Sequence, residues 1–335
     1  MSMINLLLLF GGKSSEHEVS LNSARNVFEA IDKGQYNVTL VAITKGGEWR
    51  LVDTVREAND TDAAVILDLA DGHFYAGSDQ LTVDVAFPVL HGKFGEDGTI
   101  QGLLELLNIP YVGPTVLGAA VTMNKDMTKR LARDAGVPVV PWRVWNTETK
   151  APSYKEIQNE FGGVVFVKPS RAGSSMGVSR VENAGQWQAA IDLAAQHDTE
   201  VLIEKAVTGN EFQVAVLGNA TPRATDICEI VIGAKFHDFE DKYNQDSAAQ
   251  FFIPARLSQA TTEQIREWAI RSYKATNCRG MARVDFLADA DGQIYLNEIN
   301  SIPGFTGVSV YPKLWNAAGI GYSQLISNLI KLALQ

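Results

Sequence analysis

A mixed α/β chain of more than one domain is the fold class the sequence predicts, and three stretches carry that prediction. Ile4 to Phe10 is apolar apart from Asn5, closed by Gly11-Gly12 and followed by a helical pattern from Glu16 to Ile31. Val83 to Leu90 is nearly all apolar, as a parallel strand buried on both faces should be. Met281 to Phe305, MARVDFLADADGQIYLNEINSIPGF, reads as two β-branched and aromatic-rich runs around a turn. At 335 residues the chain has room for two or three cores.

Composition narrows the function classes. Hydrophobic residues make up 46% and charged residues 20%, which is ordinary for a globular protein. A net charge of −10 and the absence of any Lys/Arg run argue against a nucleic-acid surface. The apolar opening is too short to span a bilayer and has no basic leader or cleavage site. Cys228 and Cys278 lack metal-type spacing, and so sparse a pair suits a reducing, cytoplasmic setting.

The elements follow in order. The first strand leads into a helix for which Ser15 and Glu18 have capping-box spacing. Glu16 then falls in the first turn, beside the strand's carboxyl end, where open α/β sheets bind ligands; a solvated first-turn acid is the competing reading. Three motifs fail here: GGKS lacks the first glycine of a P-loop, GGKSSE is not GxGxxG, and Leu21 stands where a zinc HExxH needs its second histidine. Tyr36–Ile43, Val65–Leu69, Gly72–Tyr75 and Val83–Leu90 continue as strands. His91 opens a glycine-rich loop at the end of the last of them, with Thr99 capping a helix to about Leu107. Tyr111-Val112-Gly113-Pro114 is a boundary signal.

Ala119–Ala135 reads as one helix carrying Lys125, stopped by Gly136-Val137-Pro138. Val139–Trp145 and Val164–Pro169 are strands, the second bearing Lys168. Ser170 to Gly177 is a run of small hydroxylated residues and glycines that suits a mobile flap over phosphates; a plain hairpin connection is the alternative. After strand Val178–Val181 come helix Ala184–Gln196 and strand Glu200–Glu204. Glu211–Leu217 and Arg223–Val231 are strands, Phe236–Gln250 is a long polar loop, and Leu257–Thr276 contains an amphipathic helix. A helix over Tyr322–Leu334 closes the chain.

The 281–305 hairpin carries the chemistry. Centring a type I′ turn on Asp291-Gly292 sets Asp285 opposite Glu298 and Arg283 opposite Asn300, all on one face, with Val284, Phe286, Ile299 and Tyr295 free to face a core. Carboxylates directly opposite repel across about 5 Å, and a hard cation such as Mg²⁺ between them would remove the repulsion. An exposed hairpin with solvated charges is the competing reading, and a one-residue slip would reverse its faces. The Ser301 to Phe305 turn that follows can offer backbone N–H groups to an anion.

Taken together, GGKSSEHEVSLNS, LHGKFGEDGTIQG, MNKDMTKRLARDAGVPV, VKPSRAGSSMGVS, VLIEKAVTGNEF, DKY, GMARVDF and NEINSIPGFT resemble, in order and spacing, the D-alanine–D-alanine ligases of the ATP-grasp superfamily. The resemblance runs from Leu6 to Leu334. It implies a three-domain ATP-grasp fold: an N-terminal domain with an open parallel sheet over 1–113, a central subdomain over 114–204 and a C-terminal subdomain over 205–335. It implies ATP-dependent ligation of two D-alanines through an acyl phosphate, for peptidoglycan synthesis, by a homodimer.

The same resemblance assigns roles. Lys125, Lys168 and Ser175 would contact the nucleotide phosphates, Glu204, Lys205 and Val207 the adenine, and Glu211 the ribose. Asp285, Glu298 and Asn300 would hold two Mg²⁺ ions, for which Mn²⁺ can substitute. Glu16 would take the first D-alanine's ammonium, beside His91 and together with Ser174 and Tyr243. Lys242 would reach the transferred phosphate, Arg283 and the Gly304 N–H would stabilise the oxyanion, and Ser309 would grip the second carboxylate. Many relatives carry tyrosines where this chain has His237 and Phe239, and an acid or leucine at Ala172, which bears on loop closure. Tyr243 and Val310 favour D-alanine over hydroxy-acid or D-serine second substrates.

Overall fold

The computed structural model describes residues 3–231 and 250–335. Its first sheet collects β1 (Ile4–Gly11), β2 (Tyr36–Ile43), β3 (Trp49–Val52), β4 (Ala63–Asp68), β5 (His73–Ala76), β6 (Asp79–Leu81) and β7 (Val85–Val89) in the order β6-β5-β4-β3-β2-β1-β7. Only β2-β1-β7 run parallel. The remaining pairs are antiparallel, so the sheet is mixed rather than the open parallel one the sequence suggested. The reason lies in connection length: the strands from β2 to β6 are joined by ten residues or fewer, and a parallel return needs a crossover of a dozen or more residues.

Along β1 the side chains divide the core in two. Leu7 and Leu9 pack with Ile100 and Leu104 of α2 (Thr99–Leu106). Leu6, Leu8 and Phe10 pack with Leu21 and Val27 of α1 (His17–Ala30) and with Leu325 and Leu329 of α9 (Tyr322–Ala333), the last helix of the chain. Both helix starts differ from expectation. Glu16 occupies the N-cap of α1 without a side-chain cap bond, and Glu18, instead of closing a box with Ser15, accepts from Lys45 at 2.7 Å. Gly98, at φ 93°, caps α2, because Asp97 takes the Phe94 and Thr99 N–H groups and turns the loop.

The predicted 119–135 helix is two helices, α3 (Val116–Met123) and α4 (Lys125–Asp134). Asn124 breaks the run: its extended backbone ends α3, and its side chain accepts from Met127 N at 2.9 Å to start α4. The second sheet is antiparallel in the order β10-β9-β11-β8, from β8 (Trp142–Asn146), β9 (Val165–Pro169), β10 (Ser179–Val181) and β11 (Glu200–Lys205). It packs on α5 (Tyr154–Phe161) and α6 (Ala184–Ala195) through Ile157, Trp187 and Ile191. Helix α5 was not foreseen, although Ser153 and Glu156 form the capping box that Ser15 and Glu18 do not.

The third sheet runs β14-β13-β12-β15-β16, from β12 (Glu211–Leu217), β13 (Arg223–Val231), β14 (Gln250–Phe252), β15 (Met281–Ala288) and β16 (Ile294–Asn300). Helix α7 (Gln259–Ala275) lies on it through Ala269 and Tyr273, and Ala132 of α4 joins the same core. Helix α8 (Val310–Ala317) leads into α9.

The β15–β16 turn departs from the type I′ expectation. Only Gly292 takes a positive φ, 79°, and the strands stop at Ala288 and Ile294. Asp289 staples the loop by accepting from Asp291 N and Gln293 N at 3.0 and 2.8 Å. That shifts the near-turn pairing by one residue, and a bulge at Asn297 shifts it back, so Asp285 still faces Glu298 and Arg283 still faces Asn300. The same bulge exchanges the faces of the outer strand: Ile294 and Leu296 are buried, while Tyr295, expected in the core, is half-buried and donates its hydroxyl to Asp289 at 3.3 Å.

Candidate active site

At the site end of the hairpin, Asp285 is 1% exposed and surrounded by donors. Arg283 grips both its oxygens, Nε to Oδ1 at 2.8 Å and Nη2 to Oδ2 at 2.7 Å, and Asn300 Nδ2 donates to Oδ2 at 3.0 Å. Burial nevertheless pushes the Asp285 carboxyl up to about 6, with Glu211 and Glu298 adding to the shift against the pull of Arg283. Glu298 Oε2 lies 3.9 Å from Lys125 Nζ. Three carboxylates thus gather around one guanidinium, and the Asn300 amide nitrogen is turned to Asp285. This oxygen-donor set is short of positive charge and suits a hard divalent cation.

Between the second and third sheets lies a cleft of about 610 Å³ that the hairpin's Glu298 and Asn300 help to line. Every residue assigned to the nucleotide reaches it: Lys125 from α4, Lys168 from β9, Ser175 from the flap, Glu204 and Lys205 from β11, Val207 just beyond, and Glu211 from β12. Lys125 also donates to the Ala172 carbonyl at 2.7 Å, which ties the flap to α4. The flap root is clamped by Asp198, which accepts from Arg171 N at 2.8 Å and from its guanidinium. Ser174 and Ser175, at φ 51° and 57°, hold a left-handed backbone uncommon for non-glycine residues.

Sequence reasoning missed Lys129. It is fully buried on α4, with Nζ 2.9 Å from Glu204 Oε1, while Lys168 Nζ lies 2.6 Å from the other oxygen. Burial presses the Lys129 ammonium toward its neutral form against the pull of Glu204. Burial would also protonate Glu204, but the two ammonium groups outweigh it and hold the carboxyl below its usual range. The signal was the spacing Lys125–Lys129, one helical turn on one face.

A second locus adjoins the flap. Glu16 is 8% exposed, and a β-carbon added to Gly173 or Gly92 would lie 2.8 or 3.0 Å from its Oε1. The missing side chains are what let the flap and the β7 loop close on this carboxylate. His91 Nε2 is 3.0 Å from Ser23 Oγ, and its Nδ1 is 3.5 Å from Glu96 Oε1. Burial alone would lower the His91 pKa; Glu96 and Glu16 outweigh it and raise it. Glu96, which also borders the cleft, was not foreseen. Ser23 Oγ accepts from Phe305 N at 3.2 Å, linking His91 to the Pro303-Gly304 turn. There the Ser309 hydroxyl, held by Thr306 N at 3.0 Å, stands 2.8 Å from where a β-carbon on Gly304 would be. Lys242 and Tyr243 lie outside the described residues.

Two family models match this chain: the D-ala D-ala ligase N-terminus over residues 5–114 and the D-ala D-ala ligase C-terminus over 131–331. The chain belongs to the D-Ala–D-Ala ligase family. Lys125 and Lys129 fall in the interval between the two models, whereas Glu16, His91 and the whole hairpin fall within them. Among ligase relatives, D-alanine–D-alanine ligase A of Salmonella typhimurium is 42% identical, the match covering 100% of this chain and 97% of that one. The D-alanine–D-alanine ligase of Sodalis glossinidius is 44% identical over 97% of this chain and 94% of its own. Among solved structures, the D-alanine–D-alanine ligase of Coxiella burnetii superposes with a TM-score of 0.89 at 33% identity, covering 100% of this chain and 94% of that one. The VanG D-Ala:D-Ser ligase of Enterococcus faecalis superposes with a TM-score of 0.90 at 36% identity, covering 99% and 100%.

Proposed function

We propose that this ligase joins two D-alanines into D-alanyl-D-alanine at the expense of ATP, through a D-alanyl acyl phosphate, and so supplies peptidoglycan synthesis. The observation that carries the reading is the meeting, under one flap, of the Lys125–Lys168 cleft, the Asp285–Glu298 pair and Glu16.

A carboxylate is a poor electrophile, so it is activated first. Glu16 holds the ammonium of the first D-alanine, with Ser174 and Tyr243 beside it. One carboxylate oxygen attacks the γ-phosphorus, the bond to the ADP oxygen breaks, and Lys125, Lys168 and Lys242 offset the charge on the transferring group. Mg²⁺, as two ions held by Asp285, Glu298 and Asn300 with Mn²⁺ able to substitute, would supply further neutralisation of that charge. The amine of the second D-alanine, its carboxylate on Ser309, then attacks the acyl carbon. Arg283 and the Gly304 N–H steady the oxyanion; removing one such donor commonly costs about 3 kcal/mol. The carbon–oxygen bond to phosphate breaks, and phosphate leaves carrying the proton that the amine gives up. His91, between Glu96 and Ser23, stands beside Glu16 at the first D-alanine's ammonium. The flap keeps water from the acyl phosphate.

On the same reading, 1–113, 114–204 and 205–335 are the three domains and the enzyme works as a homodimer in the cytoplasm. The dimer rests on family resemblance and the cytoplasm on the sparse pair of cysteines, which suits a reducing compartment. Among the described residues no helix is long and apolar enough to cross a membrane. The likeness to a D-Ala:D-Ser ligase supports one alternative, D-serine as second substrate. Phosphate release from ATP with D-alanine alone, and with D-alanine paired with D-serine or D-lactate, decides between them when products are weighed by mass spectrometry. Release with D-alanine alone and a D-alanyl-D-alanine mass is expected. Release only with a mixed pair would move the second substrate, and no release would overturn the reading.

A further inference from the structure

Lys129 is the buried charge that this mechanism leaves unused. Lys168 and Glu204 border the cleft. Lys129 lies behind them, with no exposed surface, its ammonium 3.5 Å from the Val140 carbonyl and 5.8 Å from the Trp142 ring centre. Burying an ammonium costs several kcal/mol even after relaxation, so a second lysine on one carboxylate calls for a reason. Charge counting supplies it. Glu204 and Lys168 alone, 2.6 Å apart, form a closed neutral pair, and the cation meant for a phosphate would be cancelled before any phosphate arrived. With Lys129 on the other oxygen at 2.9 Å, the three groups carry a net charge of one proton, and the exposed member of the positive pair is the one at the cleft.

We propose that Lys129 is a positioning residue for the nucleotide, neutralising Glu204 from behind so that Lys168 presents an uncancelled charge to the polyphosphate of ATP. The proposal rests on the reading of the cleft as an ATP site. It separates Lys129 from a packing role, because a packing defect would disturb the whole nucleotide, whereas lost charge is felt where the nucleotide's charge is. Lys129→Met keeps an unbranched apolar stem out to the ε position and removes the ammonium.

The test is calorimetric titration of the full chain, with Mg²⁺, against two probes: the non-hydrolysable β,γ-imido analogue of ATP, and uncharged adenosine. For Lys129→Met, affinity for the triphosphate is expected to fall at least about tenfold, equivalent to about 1.4 kcal/mol, with adenosine affinity unchanged. In turnover the ATP KM rises while the D-alanine KM holds. Adding Glu204→Gln removes the carboxylate that would otherwise capture Lys168, so the double variant should recover the ratio of triphosphate to adenosine affinity, in which any adenine contact of Glu204 cancels. Equal losses for both probes, an unchanged triphosphate affinity, or a double variant no better than the single one would each overturn the proposal. If Lys129→Met alone does not unfold cooperatively, the charge-balanced double variant carries the test: it must still prefer triphosphate to adenosine as the parent does, and loss of that preference sinks the idea. A parent protein that binds neither probe would refute the ATP reading itself.

Discussion

Asp285 stands directly across the β15–β16 ladder from Glu298, although the bulge at Asn297 interrupts the strand between that pair and the turn. Two carboxylates so placed destabilise the apo fold. Glu298→Gln should therefore leave the melting temperature unchanged or slightly raised, while turnover falls at least about a hundredfold through lost metal affinity. Thermal unfolding and phosphate release check both halves; near-normal turnover would remove the hairpin from the reaction.

Gly173 approaches Glu16 too closely for a side chain, since a β-carbon there would sit 2.8 Å from the carboxylate oxygen. Gly173→Ala should push the flap off Glu16. We expect kcat/KM for D-alanine to drop at least about tenfold with the thermal midpoint kept, because a misplacement of about 1 Å can cost a hundredfold. An unchanged D-alanine response would dissociate Glu16 from the flap.

Ser23 joins His91 to the Phe305 N–H. Ser23→Ala leaves two buried polar groups without this partner, at about 1–3 kcal/mol. Its destabilisation should appear in denaturant midpoints, together with a raised KM for D-alanine rather than for ATP.

Burial would raise the Asp198 carboxyl pKa, yet the Arg171 guanidinium and the N–H groups of Glu200 and Arg171 outweigh it and hold the group below its ordinary value. A depressed carboxyl contributes stability that is present above the unfolded value, about 3.9, and is lost as pH falls through the lower folded value. Asp198→Asn should cost about 2 kcal/mol near neutral pH, and the gap from the parent should close in acid. Melting temperatures recorded from pH 7 down to about pH 3 test the sign.

Periodicity alone found β2, β12 and β13 to the residue, because their ends are marked by turn residues and their interiors by apolar side chains. The acid face of the hairpin was also legible, but partly by cancellation: a longer turn and a bulge displaced the register in opposite senses. Tyr295 shows what that concealed, since nothing local announces a bulge. Lys129 was hidden for a different reason. Its partner Glu204 comes from another sheet, and only packing converts a helix-surface lysine into a buried one. Glu18 was misread likewise, because Lys45 competes with a local cap from the far end of β2.

Helix α9 completes the core on one face of the first sheet, against residues such as Leu8 and Phe10. β1 is thus sealed by a helix made after every other described element. Until α9 has been made, that face has only part of its cover, and a chain cut short before Tyr322 would keep an apolar gap beside α1, a natural substrate for chaperones and proteases.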